Sequence, residues 1–513
     1  MALLLGVAHA FTFAPWGNGW LALAVLGGFG WLLAHQRQLG ASVGRMALTG
    51  FLFGLGWFTA GVSWLHVAMH DFGGLPAPLS ALALLLFAAY LSLFPALAAA
   101  LIGRFAHPAR PSGFMLVTAG AITLSELARG WFLTGFPWLG IGYAQVDSPL
   151  AALAPVGGVH AITLAAAFMA ACIALAFQRL RPWLILPGLA VLAVADSLEG
   201  MQWTHPQGKP VTVSLIQGNI PQRMKFDPAA SSRARQTYLD LIESAPADLV
   251  LLPETAWTVP WPQTEASLKA RLDEFILKTD SSVALGSPRL TQHPNPPPDD
   301  PYQGVRFANS MVMLDRTSLA DGQMPPSYDK AHLVPFGEFI PPGFRWFVDM
   351  MQIPLGDLHR GPADQPALPL KDQFIGYNIC YEDLFGEELL PAIRGPHGDG
   401  SQGGATILAN LTNLGWYGRS HALPQHLQIA RMRALETGRP MIRATNNGVS
   451  AVILPNGEVS AELPWHETGV LKARVQGHGG LTPYAQAGGN WPVVLGASLM
   501  LLAGAWPSRR QRR

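Results

Sequence analysis

Three short strings each carry a residue able to do covalent or proton-transfer chemistry. FIGYNICYEDLF (374–385) holds Cys380, one of only two cysteines in 513 residues. DLVLLPETAW (248–257) sets Glu254 just past an apolar run, and SYDKAHLVPFGEFIP (327–341) holds Lys330 with Glu338 eight residues on. Taken singly, each has an ordinary reading: a helix cap or solvated carboxylate, a solvated lysine, a small buried thiol. Together they make a set. A thiolate is a strong nucleophile, but a free thiol is mostly protonated near neutral pH and needs a base or a cation beside it. A carboxylate shielded from water is such a base, and an ammonium both favours the thiolate and steadies the oxyanion of a tetrahedral intermediate. This is an acyl-transfer site that needs neither metal nor cofactor. The histidines, His421 and His426 among them, show no metal-ligand spacing beside cysteine or acidic partners.

Such a site needs rigid elements to aim it. Residues 211–460 contain β-rich runs at 211–219, 248–254, 282–287, 374–380, 404–410 and 441–459, the last with the hairpin signal PNG. Helical stretches alternate with them: SSRARQTYLDLIESA, TEASLKARLDEFILKT and HLQIARMRALETG. This alternation predicts an α/β layered domain with helices covering sheet, and runs such as LVLL and ATILA suit strands buried on both faces. Glu254, Lys330 and Cys380 then lie at strand ends or in the loops after them, where a rigid sheet positions polar groups.

The rest of the chain has a different character. Half of all residues are hydrophobic and 13% are charged, against about a quarter charged in an ordinary soluble domain. The deficit falls in residues 1–200, whose apolar segments lie at about 2–14, 18–34, 47–69, 79–103, 114–134, 159–178 and 183–199, with one more at 489–506. Several approach the roughly 20 residues that cross a bilayer. The first two, split by APWGNG, are one kinked helix or a tight pair. No Lys or Arg precedes Arg37, so the basic region of a cleavable signal peptide is missing. Arg37 and Arg45, Arg104 and Arg110, Arg179 and Arg181, and the tail SRRQRR fall in alternate loops, while loops 70–78 and 135–158 have no Lys or Arg. The positive-inside rule then puts the Arg-bearing loops and the C-terminus in the cytoplasm and residues 201–484 outside it. Arg129, with Glu126 three residues earlier, reads as an intramembrane ion pair of structural or functional use. GFLFG (50–54) has the spacing for close helix packing. A net charge of +1 leaves no electrostatic footprint for nucleic acid, and two cysteines, Cys172 and Cys380, exclude a disulfide framework.

At the three reactive strings the sequence resembles the nitrilase (carbon–nitrogen hydrolase) superfamily. LLPETAW, YDKAHLVPFGEFIP, NICYED and HLQIARMRALETGRPMIRATNNGVSAV resemble its membrane-bound branch, the apolipoprotein N-acyltransferases. FGLGWFTAGVSWL (53–65) and RGWFLTGFPWLGIGY (129–143) resemble that branch's N-terminal part. The resemblance implies a polytopic α-helical membrane domain at 1–200 of about seven helices, then a nitrilase-like α-β-β-α sandwich at 201–484 outside the cytoplasm. A final helix and basic tail follow at 485–513, all in the cytoplasmic (inner) membrane. It implies Cys380 as nucleophile, Glu254 as general base and Lys330 as oxyanion stabiliser, with Glu338, Tyr381 and Glu382 in support and Trp416 lining the site. The implied reaction takes an acyl chain from a membrane phospholipid, typically sn-1 of phosphatidylethanolamine, onto the cysteine. The chain then passes to the α-amine of the diacylglyceryl-cysteine of an apolipoprotein.

Aromatic residues fit a lipid substrate. PPGFRWFVDMMQIPLG (341–356) sets Phe344, Trp346, Phe347, Met350, Met351 and Ile353 in a loop bounded by Pro and Gly, and TAWTVPWP adds Trp257 and Trp261. These residues suit a membrane interface and are expected either to form a lid that admits acyl chains or to pack as an ordinary aromatic core. The triad does not specify the acceptor. A membrane-tethered amidase hydrolysing a small amide is the alternative, and the membrane half and aromatic loops favour transfer.

Overall fold

A computed structural model of the protein describes residues 1–226, 228–292, 303–320, 324–341, 343–344, 358–400 and 403–506. The chain divides into two compact units, one of residues 1–66, 76–203 and 482–513 and one of residues 67–75 and 204–481.

The first unit is helical. Its main helices are Ala2–Ala10, Gly19–Gln38, Val43–Gly61, Ala77–Phe105, Pro111–Arg129, Ala154–Arg179, Leu186–Leu198 and Trp491–Ala505. The first two are separate helices, which settles the pair left open above. Among the described residues, Ala77–Phe105 and Pro149–Arg179 are long and apolar enough to cross a membrane, and Val43–Gly61 with Leu65–Phe72 forms a third candidate bent by 62°. On Ala77–Phe105, Leu82, Leu86, Leu93 and Leu97 are exposed at helical spacing while Leu84, Ala88, Leu91 and Ala98 are buried. A helix apolar on both faces suits an apolar solvent. Helices Val43–Gly61 and Ala77–Phe105 cross at the small-residue motif: a Cβ on Gly50 would sit 2.3 Å from the Pro95 carbonyl oxygen, and one on Gly54 2.6 Å from Pro95 Cγ.

The segment 114–134 is helical only as far as Arg129. Beyond it the chain folds back, because the Arg129 guanidinium collects the carbonyls of Phe136 and Trp138, the latter at 2.9 Å. The same guanidinium forks onto Glu126 at 3.0 and 2.9 Å, and Glu126 accepts the Ile141 amide at 3.1 Å. These hydrogen bonds shape the loop between two helices, and the guanidinium also lies over the Trp57 and Phe58 rings, so the pair has a structural use here.

The second unit is a four-layer sandwich. One sheet runs in the order Gly469–Val475, Val211–Gln217, Leu249–Leu251, Ser282–Gln292, Val305–Leu314, Ser327–Asp329. The other runs Val459–Glu462, Ala451–Ile453, Met441–Thr445, Ile407–Thr412, Gln373–Ile379, Leu368–Leu370. Period-two alternation divides the side chains between layers. Val213, Leu215, Leu251 and Met311 meet Ile375, Ala409, Leu411 and Ile442 between the sheets. Ile216, Val250, Val283 and Val312 face outward against helices Pro228–Glu243 and Ala266–Thr279. Truncating a leucine in either core to alanine costs about 2–5 kcal/mol. Helix Ala422–Thr437 covers the second sheet, donating no side chain to the inter-sheet core. All three helices expected above are present, and PNG makes the expected hairpin between Ala451–Ile453 and Val459–Glu462. Strand Val305–Leu314 was not among the expected runs.

In the second sheet Gln373–Ile379, Ile407–Thr412 and Met441–Thr445 are parallel neighbours. Their C-terminal ends deliver Cys380, Asn413 and Asn446 to one edge. The parallel strands Val211–Gln217, Leu249–Leu251 and Ser282–Gln292 of the first sheet bring Glu254 to the same place.

Candidate active site

Glu254 lies three residues beyond its strand, on a turn that only a glycine neighbour permits. A Cβ on Gly286 would stand 2.2 Å from the Pro253 carbonyl oxygen and 2.9 Å from Glu254 Cα. The Trp257 amide closes the turn on the Gly286 carbonyl at 2.9 Å, and Thr255 takes a left-handed φ of 47°. Lys330 directly follows Ser327–Asp329, its amide bonded to the Asn309 carbonyl at 2.8 Å. Cys380 directly follows Gln373–Ile379 and begins a short 3-10 turn, with φ of 54°.

These elements bring four reactive groups together, Lys330, Glu254 and Glu338 buried and Cys380 half-buried. The Lys330 ammonium donates to Glu254 Oε1 at 3.2 Å and to Glu338 Oε1 at 2.9 Å, with Lys330 1% exposed and the carboxylates 7% and 8%. Burial works against the ammonium, but Glu254, Glu338 and Cys380 outweigh it and hold Lys330 well above the usual lysine range, so it keeps its charge. Burial pushes the Cys380 thiol up. Glu254 pushes the same way, while Lys330 and a hydrogen bond with the Thr412 side chain oppose it. Cys380 therefore rests as a thiol.

Two asparagines that the sequence reading missed complete the frame. Asn309 Nδ2 donates to Glu254 Oε1 and to Glu338 Oε1, both at 2.7 Å, so one amide fixes both carboxylates beside the lysine. The Asn413 backbone amide donates to Glu254 Oε2 at 3.0 Å, tying Glu254 to the other sheet. Glu338 Oε2 accepts the Val334 amide at 2.8 Å. Glu254 is thus held by donors from three different places: Asn309 within a strand, and Lys330 and Asn413 just past strand ends. The visible clue to Asn309 was its place inside VRFANSMVML, a polar residue in a run whose alternate residues are apolar.

Glu382 joins the Cys380 turn to the Lys330 loop. Its Oε2 accepts the Ile379 amide at 2.6 Å and the Tyr328 hydroxyl at 3.0 Å, and its Oε1 accepts the amides of Ala331 and His332 at 2.7 and 3.0 Å. Burial raises its carboxyl to about 7, against the pull of those amides and of Lys330. Tyr381 is buried edge-on to Phe385 and His332. Lys225 approaches Glu254 from behind: its buried ammonium donates to the Thr255 carbonyl at 3.2 Å, and burial lowers it to about 8 although Glu254 raises it. Among the described residues no group of three His, Cys, Asp or Glu is placed to hold a metal ion.

The aromatic residues do not behave as one set. Trp257 is fully buried in the core beneath helices Pro228–Glu243 and Ala266–Thr279, its Nε1 donating to Thr264 at 2.8 Å. This corrects its expected place in a lid: a ring whose polar atom and faces are all satisfied inside cannot enter lipid. Trp261 is half-buried beside it, with Lys269 over its ring at 5.6 Å. Phe344 is 45% exposed and edge-on to Phe336. Trp416 is half-buried on the loop after Ile407–Thr412 and meets Phe72 edge-on at 5.8 Å. Its neighbour Tyr417 feels the charges of Cys380, Lys330, Glu254 and Glu338, and burial pushes its phenol up. Trp346, Phe347, Met350, Met351 and Ile353 lie outside the described residues.

A thiol, a carboxylate able to take its proton and an ammonium able to face an oxyanion make an acyl-transfer centre. Comparison with known proteins agrees on the class. The family model for the apolipoprotein N-acyltransferase N-terminal domain matches residues 5–172, and that for carbon-nitrogen hydrolase matches residues 212–484. An apolipoprotein N-acyltransferase of Ralstonia nicotianae is 44% identical over 100% of this chain and 93% of its own length. One of Bordetella bronchiseptica is 44% identical over 99% and 96%, and one of Nitrosomonas europaea 39% over 100% and 98%. Among solved structures, an amidase from Nesterenkonia sp. AN1 matches 53% of this chain and 92% of its own at 19% identity and a TM-score of 0.35, too slight a likeness to argue from. On full-length identity to these relatives and on both domain matches, the chain is an acyltransferase and belongs to the apolipoprotein N-acyltransferase family.

Proposed function

We propose that the protein carries a fatty acyl chain from a membrane phospholipid, through a thioester on Cys380, to the α-amine of an apolipoprotein's N-terminal diacylglyceryl-cysteine. Glu254 takes the Cys380 proton as sulfur attacks the ester carbonyl, and the oxygen that becomes negative is met by the Lys330 ammonium. Collapse breaks the carbon–oxygen bond. Glu254 returns the proton to the leaving oxygen, lysophospholipid departs and the acyl group stays on sulfur. The lipoprotein amine then attacks the thioester and gives a proton to Glu254. The carbon–sulfur bond breaks, the proton returns to sulfur, and an amide is released. Glu338 and Asn309 hold Lys330 and Glu254 in register through both halves. The donor is phosphatidylethanolamine, acting from its sn-1 position.

The observation that carries this reading is the contact of Lys330 with both Glu254 and Glu338, at 3.2 and 2.9 Å, in a buried site where the Cys380 thiol responds to all three charges. The apolar helices of the first unit support a lipid donor. The protein crosses the cytoplasmic membrane several times, with the catalytic unit on the outer side and the C-terminus in the cytoplasm, a reading supported by the arginines of alternate loops.

Incubation of the purified protein with phospholipid of defined chains, followed by peptide mass measurement, tests the proposal. A fatty-acyl adduct on the Cys380 peptide, absent in Cys380→Ala and discharged by a diacylglyceryl lipopeptide, is expected. No adduct, with turnover of small amides instead, would make the protein a tethered amidase.

A further inference from the structure

The left-handed backbone at Cys380, with φ of 54°, is unfavourable for a residue with a side chain and persists only where its surroundings enforce it. One enforcing contact comes from the helix above the second sheet. His426 Nε2 lies 3.2 Å from the Cys380 carbonyl oxygen, and His426 Nδ1 lies 2.6 Å from Arg443 Nη2. A guanidinium has no acceptor, so Nδ1 accepts and the ring proton is on Nε2, directed at the Cys380 carbonyl. The ring is fully buried, and burial together with the Arg443 charge holds it well below the usual histidine range, so it stays neutral. Arg443 also grips the His426 carbonyl at 3.0 Å. Its charge is answered by Asp383, 3.9 Å from Nη1, on the same short turn as Cys380. The turn is therefore held at its first residue by a hydrogen bond, while burial raises the Asp383 carboxyl at its fourth to about 7 against the pull of Arg443.

We propose that His426 is a positioning residue for the nucleophile: locked as the Nε2–H tautomer by Arg443, it donates to the Cys380 carbonyl and holds the thiol in its attacking geometry. It is neither the base nor a metal ligand, since its one proton faces a carbonyl and its other nitrogen is taken. The proposal rests on Cys380 being the nucleophile.

Two polar variants separate positioning from folding. In His426→Gln the side-chain amide reaches the Nε2 position and still donates to Cys380. In His426→Asn the shorter amide reaches only the Nδ1 position, where its oxygen still accepts from Arg443. Both are to be purified full-length and compared in thermal midpoint, in rate of Cys380 alkylation by iodoacetamide, and in kcat and KM with phospholipid and a diacylglyceryl lipopeptide. The expected result is kcat in His426→Asn lowered on the order of tenfold to a hundredfold at unchanged KM. Alkylation should fall in parallel, and His426→Gln should keep most of both. Equal alkylation and kcat in the two variants, or a loss confined to thermal midpoint, would overturn the proposal. If the unmodified protein forms no acyl adduct at Cys380, the nucleophile assignment fails; alkylation equal in the two variants would then count against positioning as well.

Discussion

A thiol buried beside a carboxylate keeps its proton further into alkaline solution than a thiol in water. Burial and Glu254 both act this way on Cys380, and Lys330 acts against them. Iodoacetamide reacts with the thiolate, so a raised pKa makes its rate climb with pH across a range where an ordinary cysteine levels off. We expect Cys380 alkylation in detergent to rise about tenfold per pH unit through about pH 9.5, with no plateau near the ordinary value of about 8.5. Lys330→Met removes the opposing cation and should slow alkylation at every pH by roughly tenfold. A plateau near pH 8.5, or faster alkylation in Lys330→Met, would contradict a buried, lysine-assisted thiol. The low resting thiolate content ties sulfur attack to proton transfer, which limits loss of the nucleophile to stray electrophiles.

At the scale of elements, the placing of Glu254 depends on one strand having no side chain at one position. In Gly286→Ala the new methyl meets the Pro253 carbonyl and Glu254 Cα. The turn that aims Glu254 must then move, and the variant should lose about 1–3 kcal/mol of stability and on the order of a hundredfold in acyl transfer. A calorimetric midpoint and single-turnover acylation read the two effects; unchanged acylation would mean that Glu254 is not held from Gly286. Glu254 and Cys380 were legible in sequence because each closes an apolar or β-branched run, where a polar residue stands out, and Lys330 because its loop string SYDKAHLVPFGEFIP accompanies them. Asn309 was not. It lies within a strand, and its work appears only when two loops of the same sheet bring two carboxylates to one amide. Trp257 misled for the opposite reason: an aromatic residue beside the site suits a membrane interface, yet the ring fills the gap under two helices. The helix end at Arg129 was equally hidden, since its cause is a pair of carbonyls seven and nine residues ahead. The aromatic loop that starts near Phe344 makes its own prediction. Replacing Trp346 and Phe347 by serine should slow acylation by micellar phospholipid and leave a short soluble ester unaffected. Equal slowing of both would leave the lid without support.

At the scale of the whole molecule, the arginine pattern sets a direction across the membrane. With Cys172 and Cys380 changed to alanine, a cysteine at Asp364 should react with a membrane-impermeant maleimide added to spheroplasts. One at Gln38 should react only after the membrane is opened. The reverse pattern would invert the proposed orientation. The second unit has a further consequence because it is not continuous in the chain: it includes residues 67–75, borrowed from between two helices of the first. Phe72 rests on Trp416, and the Asp71 carbonyl accepts from Arg223 at 3.1 Å. A gene cut at residue 204 would therefore encode a hydrolase-like body with a missing tile beside Trp416 and Tyr417. The enzyme is not a soluble hydrolase bolted to an anchor; its two halves are spliced, and neither can be exchanged as a cassette.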